Sequence, residues 1–255
     1  MTLIALINLA SLKAKLSLKA EAASSYLNYL WWVIEPALEF AVFYLVFTYF
    51  FASTSDEFAV FLLSGLVGWS WFSKSITNVS QSILNGSWLL DHIKISPVFF
   101  PLVIFFQDSI KSVVVIAIYT IVMGLLGIAK VTPLMLLATI FLMGFFIFSF
   151  GFFLATLLPV VPDLKHIIPT GIMIAMFCSG VFFNPEELLA EDELALFFLN
   201  PIASGLALFR YSLADLGMPS VINVAALTAW SAMFLLAGLF VSDRLRDSYA
   251  IMVKR

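Results

Sequence analysis

The polar side chains that could carry chemistry are few, and some lie at helical spacing. Glu35 and Glu39 are four residues apart, so a helix places both carboxylates on one face. They could form a general acid–base pair, or reach water and lysine partners near a membrane surface; we favour the second interpretation. Asp108 and Lys111 are three residues apart, which fits either a buried structural ion pair or a pair that lines a polar path.

The histidines and the single cysteine do not indicate a metal site. His92 follows Asp91, and His166 lies three residues after Asp163. These are the local His–carboxylate pairs that a membrane-embedded transferase acting on a lipid carrier would need. Cys178 is the only cysteine, which excludes an intramolecular disulfide and a cysteine-ligated metal. No GxxxxGK[ST], HExxH, GxSxG or Gly-rich dinucleotide motif is present. We predict no catalytic residues and no metal or cofactor bound by this chain.

The composition places these residues in a membrane protein. Of 255 residues, 62% are apolar and 11% are charged, whereas soluble domains are about half apolar and about a quarter charged. Thirteen basic and 16 acidic side chains cannot cover the surface of a soluble domain. This excludes a soluble enzyme and a disordered chain, and the net charge of −3 excludes a nucleic-acid binder. Aromatic residues, which are included in the apolar share, make up 16% of the chain.

Charge-poor stretches predict a single all-α transmembrane domain. A helix needs about 20 apolar residues to cross the hydrocarbon core. Six stretches fit, at residues 32–52, 58–83, 98–128, 133–158, 167–183 and 219–242. Residues 184–217 are too numerous for a turn and too apolar for a free loop. We interpret them as short re-entrant helices that dip into the outer membrane face.

Basic residues orient the predicted bundle. With a cytoplasmic N-terminus, nine basic residues lie inside and two, Lys130 and Arg210, lie outside. Both termini are therefore predicted to be cytoplasmic. The inner set is Lys13, Lys15, Lys19, Lys94, Lys165, Arg244, Arg246, Lys254 and Arg255.

Two segments on the predicted inner side are not spans. Residues 1–25 alternate apolar side chains with three lysines, which is typical of an amphipathic interfacial helix or of a simple lipid anchor. Residues 85–96 are long enough for a short helix along the membrane. Polar residues around Lys74 indicate that the second span lines a wet cavity or extends into the cytoplasm; we favour an extension that partly lines a cavity entrance.

Short motifs in chain order resemble the permease subunits of bacterial polysaccharide-export ABC transporters, the type 2 exporters of O-antigen, capsule and teichoic acid. The similarity covers nearly the whole chain. The matching segments are Leu27-Asn28-Tyr29-Leu30-Trp31 with Pro36, Leu63-Ser64-Gly65-Leu66 with Trp69, residues 87–97, Pro162-Asp163-Leu164, Val181-Phe182-Phe183 with Pro185, and Asn200-Pro201 with Arg210. Three positions depart from the family pattern: Asn28 replaces a glycine, Pro162 an arginine, and Ser179-Gly180 a Ser-Pro pair.

The resemblance implies a half-transporter of the bacterial inner membrane. Two copies would form a homodimer and bind two ATP-binding subunits, which would hold ATP and magnesium. The substrate would be a lipid-linked polysaccharide, with O-antigen favoured over capsule, teichoic acid or another lipid or drug. A passive channel or a lipid-carrier transferase would be the alternatives from other classes. The implied ATPase-docking residues are Asn85, Trp88, Asp91, His92 and Lys94, and the implied outer-gate residues are Pro185, Asn200, Pro201 and Arg210.

Aromatic residues of the first span suit such a substrate. Aromatic faces contact the C–H faces of sugar rings without holding one sugar tightly. The same residues could equally pack in the core, face lipid or form an interface belt. The predicted substrate path is Tyr29, Trp31, Trp32, Phe40, Phe43, Tyr44, Phe47 and Phe51.

Overall fold

The protein is all-α throughout the part of the chain that the structure describes. The computed structural model describes residues 2–23, 26–51, 56–90, 95–126 and 131–245. The α-helices are α1 Leu3–Ala23, α2 Trp31–Phe51, α3 Asp56–Ser80, α4 Ser82–Leu90, α5 Phe99–Leu126, α6 Pro133–Leu157, α7 Leu164–Cys178, α8 Pro185–Leu188, α9 Glu191–Phe197, α10 Pro201–Ala214 and α11 Val221–Leu245. A 3-10 helix, Asn28–Leu30, precedes α2.

Several of these helices are long and apolar enough to cross a membrane. Four pass by length and composition: Glu57–Ser80, Phe99–Leu125, Pro133–Leu157 and Val221–Leu245. At 1.5 Å per residue, helices of 24 to 27 residues exceed the hydrocarbon thickness of about 30 Å. Helices α9 and α10 pass as a pair bent by 105°, which gives up to five spans. The predicted all-α membrane class is confirmed.

The fifth predicted span, residues 167–183, differs from the helix found there. Helix α7 has 15 residues, which is about 22 Å of helix and shorter than the hydrocarbon core. It contains Pro169, which removes one backbone donor, and it ends at Cys178, before the turn at Gly180. The apolar stretch seen in the sequence therefore divides into a helix and a following turn.

Contacts between helices fix their relative directions. Helix α10 packs against α3, α6 and α11. Thr139 Oγ1 of α6 donates to the Leu208 carbonyl of α10 at 3.4 Å. A Cβ on Gly68 of α3 would lie 2.8 Å from the Phe209 ring, so the glycine allows close approach to α10. Helix α5 is antiparallel to α3: Asn78, near the end of α3, contacts Asp108 in the first half of α5.

Aromatic rings fill the core of the bundle. Phe72, Phe146, Phe152 and Phe209 are among the largest fully buried side chains. Phe72 and Phe146 stack with ring centroids 6.0 Å apart and planes within 5°. Such pairs add about 0.5–1.5 kcal/mol beyond the burial of their area. Much of the aromatic excess in the sequence is therefore core packing.

Helix α1 packs on the bundle along one face. Its buried residues recur every fourth position and contact the start of α5, including Phe99, Phe100 and Val103. Lys13, Lys15 and Lys19 are exposed on the remaining surface. A helix is present over the predicted segment, and it packs against α5. The buried residues are Leu6, Ala10, Ala14, Leu18 and Ala22.

Candidate functional site

Two cavities lie at opposite ends of the bundle. The ion-pair cavity, of about 450 Å³, lies among α1, α2, α3 and α5 and is lined by Glu35, Lys74 and Asp108, among others. The α10 cavity, of about 660 Å³, is lined by Phe61, Pro185 and Arg210, among others, near the start of α3 and α11. Both volumes fall in the range of about 300–1,000 Å³ typical of ligand sites.

Helix α2 is tied to α3 by ion pairs in the ion-pair cavity. Lys74 Nζ lies 3.3 Å from Glu35 Oε2 and 3.5 Å from Glu39 Oε1. Because the two carboxylates are four residues apart, both lie on the face of α2 that meets this lysine. Lysine partners agree with the interpretation favoured from the sequence. Lys74 therefore lines a cavity wall, which agrees with the cavity-lining part of its prediction.

The predicted pairing of Asp108 with Lys111 is wrong. Lys111 Nζ instead binds both carboxylate oxygens of Glu21 at 2.6 and 2.8 Å, which joins α5 to the last turn of α1. Asp108 Oδ2 accepts a hydrogen bond from Asn78 Nδ2 at 3.0 Å, which joins α5 to α3. Partners on other helices replace the local pair. Both residues line the cavity, as the path-lining alternative stated.

Three tryptophans line the same cavity. Lys111 Nζ lies 5.9 Å from the centroid of the Trp32 ring, and the Tyr29 ring meets Trp32 edge-on at 4.9 Å. Trp31 is 46% exposed, at the mouth of the cavity. Trp71 is only 2% exposed, and its Nε1 has no hydrogen-bond partner in the described residues. Sequence reasoning missed Trp71, although it lies three residues before Lys74 on one face of α3.

The predicted aromatic path along α2 divides in the structure. Trp31 and Trp32 line the ion-pair cavity, whereas Phe40 and Phe43 pack against the buried core. Phe43 contacts the Phe182 ring at 4.9 Å, near the α10 cavity. The other predicted members are the exposed Tyr29 and Tyr44, and Phe47 and Phe51, whose side chains lie outside the described residues.

The predicted gate residues come together beside the α10 cavity. Asn200 caps α10: its Oδ1 accepts from Ile202 N at 3.0 Å, and its Nδ2 donates to Ser179 Oγ at 3.0 Å. Pro201 follows at the first helical position, where a missing N–H costs nothing. Helix α8 begins in the same way, with Asn184 as the cap and Pro185 next.

Arg210 is a buried clamp. It is 6% exposed, and its Nη2 donates to the Gly180 and Val181 carbonyls at 2.7 and 3.0 Å. Its guanidinium carbon lies 3.7 Å from the Phe61 ring centroid, a cation–π contact. Gly180 has φ +70°, a backbone conformation that favours glycine, in the turn whose carbonyls the arginine binds. Arg210 therefore joins α10 to the turn at Gly180 and Val181.

The predicted docking segment is only partly described. Asn85 is exposed on α4, and Gly86 packs so closely on the Phe100 ring that a Cβ there would collide with it. The Trp88 side chain and Asp91, His92 and Lys94 lie outside the described residues. Their docking role stays a prediction. Within the described part of the chain, no His, Cys, Asp and Glu cluster could hold a metal ion.

Three relatives resemble this chain over most of its length, and no protein-family model matches it. The O-antigen export system permease protein RfbA of Klebsiella pneumoniae is 24% identical over 91% of this chain and 90% of its own. RfbA of Myxococcus xanthus is 23% identical over the same shares. The polysialic acid transport protein KpsM of Escherichia coli is 24% identical over 84% of this chain and 83% of its own.

Each of these alignments covers more than four-fifths of both sequences. The predicted resemblance to the permease subunits of bacterial polysaccharide exporters is confirmed.

Proposed function

We propose that this chain is the transmembrane permease of an ATP-driven exporter that moves a lipid-linked polysaccharide, O-antigen, across the bacterial inner membrane. The similarity to the two O-antigen export permeases over nine-tenths of the chain carries this proposal. A polar cavity inside an otherwise apolar bundle supports transport, because ionisable residues at membrane depth face a bundle interior or a water-filled path.

Six passes with both termini in the cytoplasm form part of the proposal. Helix α2 has 21 residues and is antiparallel to α3. Its first half contacts Lys74, in the second half of α3, whereas Phe43 in the second half of α2 contacts Phe182. Helix α7 begins after the end of α6, at one end of the bundle. It leads to the turn that Arg210 binds, at the opposite end of the bundle. Both directions support six alternating passes. The proposed outer segments hold two basic residues, Lys130 and Arg210, against nine on the proposed inner side, which supports this orientation.

Assembly completes the proposed transporter. Two copies pair to form the path, and two ATP-binding subunits dock on the cytoplasmic side at α1 and residues 85–96. ATP and magnesium belong to those subunits. Helices α8 to α10 form the outer gate, and their position beside the start of α3, α6 and α11 supports a common outer end for these elements.

Deletion of the gene tests the function. We expect surface O-antigen to disappear while lipid-linked polysaccharide accumulates inside the cell, and the wild-type chain to restore both. The restored strain should also yield a complex of this chain with an ATP-binding subunit when either is purified. Normal surface O-antigen in the deletion strain would contradict the proposal.

Asp91 and His92 separate docking from chemistry. Replacing both with alanine should reduce recovery of the ATP-binding subunit by about tenfold or more, since the segment is the proposed docking surface. Replacement of the exposed Lys165 by alanine is the control on the same side of the membrane. Loss of export with complete assembly would favour the transferase alternative.

Capsule is the second candidate substrate, favoured by the similarity to the polysialic acid transport protein. The same deletion strain distinguishes the two. Loss of the polymer from the lipopolysaccharide fraction supports O-antigen, and loss from the capsule fraction alone supports capsule.

A further inference from the structure

The ion-pair cavity combines two features of a carbohydrate site. Oxygen acceptors line it on three helices: Glu35 and Glu39 on α2, Asn78 on α3 and Asp108 on α5. Carboxylates bind hydroxyl groups through charge-assisted hydrogen bonds. Trp31 stands at the same wall and makes no ring–ring contact within the described residues, so one face is available to the C–H face of a sugar.

A buried donor in the wall is the second observation. Four buried side-chain polar atoms in the described residues lack a hydrogen-bond partner, on Trp71, Ser75, Ser109 and Tyr119. Of these residues only Trp71 lines the ion-pair cavity. An unsatisfied buried donor destabilises the folded protein, and an oxygen acceptor on a ligand would remove that cost.

The charges favour a sugar over a phosphate or a metal ion. Four carboxylates, including Glu21, face two lysines, so the cavity is formally negative, which disfavours the phosphate end of a lipid carrier. Lys74 and Lys111 already contact carboxylates. The described acids form no metal-ligand cluster, which disfavours a cation.

We infer that the ion-pair cavity is a glycan subsite that binds one sugar unit of the transported polymer, with Trp31 as the stacking surface, the Trp71 indole N–H as a donor and the carboxylates as acceptors. The inference rests on the proposed function. It places the sugar contact on Trp31, Trp71 and their acidic neighbours, instead of on the Phe40–Phe51 face of α2.

Removal of a single donor tests the subsite. The probe is the host polysaccharide, released from its lipid by mild acid and labelled, and its binding to the purified full-length chain in nanodiscs is measured by equilibrium dialysis. Trp71→Phe keeps most of the ring and removes the N–H, and should bind about tenfold more weakly. Trp31→Leu removes the stacking surface and should also lose about tenfold.

Tyr119→Phe is the matched control. It removes another buried unpaired donor, in α5, that does not line either cavity, so binding should equal that of the wild type. Thermal unfolding should be unchanged in Tyr119→Phe, because its O–H has no partner to lose. Trp71→Phe also removes ring volume at a buried position, so its binding is measured well below its own unfolding midpoint. Dextran of equal size is the control polymer and should not bind.

Export in the deletion strain separates this inference from the proposed function. Restoration by the wild type with at least threefold slower export by Trp71→Phe supports the subsite. Wild-type export by Trp71→Phe, wild-type binding by that variant, or equal weakening by Tyr119→Phe would overturn the subsite and leave the proposed function standing. Failure of the wild-type chain to restore surface polymer would overturn the proposed function, and this inference with it.

Discussion

The two cavities stabilise charge in opposite ways. In the α10 cavity, Arg210 is almost fully buried and donates to backbone carbonyls of a fixed turn. In the ion-pair cavity, the side chains of Lys74 and Lys111 remain 34% and 25% exposed and bind carboxylates on other helices. Backbone acceptors cannot move away without breaking the turn, whereas side-chain partners can exchange with a ligand. The first arrangement suits a permanent joint, and the second suits a cavity whose contents change.

Removing the buried cation should have the largest effect. Arg210→Leu leaves the Gly180 and Val181 carbonyls unpaired in the interior, and each unsatisfied group costs about 1–3 kcal/mol. We expect a loss of about 3 kcal/mol or more, seen as a lower thermal unfolding midpoint and less protein in the membrane. Arg244→Leu, at an exposed position of α11, should change stability by less than about 0.5 kcal/mol. Equal stability of the two variants would show that Arg210 is not a joint.

Crowding the same clamp should have the next largest effect. A Cβ on Gly65 would lie 2.6 Å from Arg210 Nη2, the atom that binds both carbonyls. Gly65→Ala should cost about 1–3 kcal/mol, because the guanidinium must leave its acceptors to make room. Gly124→Ala is the control, since nothing lies within 4 Å of its Cβ position. An unchanged unfolding midpoint in Gly65→Ala would mean that Arg210 is mobile, which would remove the contrast between the cavities.

The cap of α10 should contribute less. Asn200→Ala removes the acceptor for Ile202 N and the donor to Ser179, and a lost N-cap costs about 1 kcal/mol. Asn200→Asp keeps the capping oxygen and removes only the donor, so it should recover most of the loss. The measurement is thermal unfolding of the purified chain. A larger loss in Asn200→Asp than in Asn200→Ala would show that the Ser179 contact, and not the cap, holds α10.

Local rules predicted the outer elements well. The length and apolar character of residues 184–217 predict short helices, and the structure has α8, α9 and α10 in that segment. The span predicted over residues 133–158 likewise depends on one continuous apolar stretch, and α6 occupies that stretch. Signals of this kind lie within one stretch of chain, so the sequence alone exposes them.

Partner choice across helices could not be predicted. Lys111 has Asp108 within one turn, yet it binds Glu21, 90 residues earlier in the chain. Trp71 carries no motif, and its place beside Trp31 depends on how α2 and α3 pack. The ion-pair cavity is therefore built mainly from tertiary contacts. The burial of Arg210 against the Gly180 and Val181 carbonyls depends on such contacts too.

The smallest expected effect separates an exchangeable contact from a structural one. Lys111→Gln, Glu21→Gln and the double variant form a cycle for the pair that joins α5 to α1. Glu21 is 50% exposed, so we expect a coupling energy of about 0.2–1 kcal/mol by thermal unfolding. The coupling should fall when NaCl is raised from 0.1 to 0.5 M, since the Debye length shortens from about 10 Å to less than half of that value. Coupling above about 2 kcal/mol that resists salt would make this pair as permanent as the Arg210 clamp, and the two cavities would then differ in shape but not in the way they hold charge.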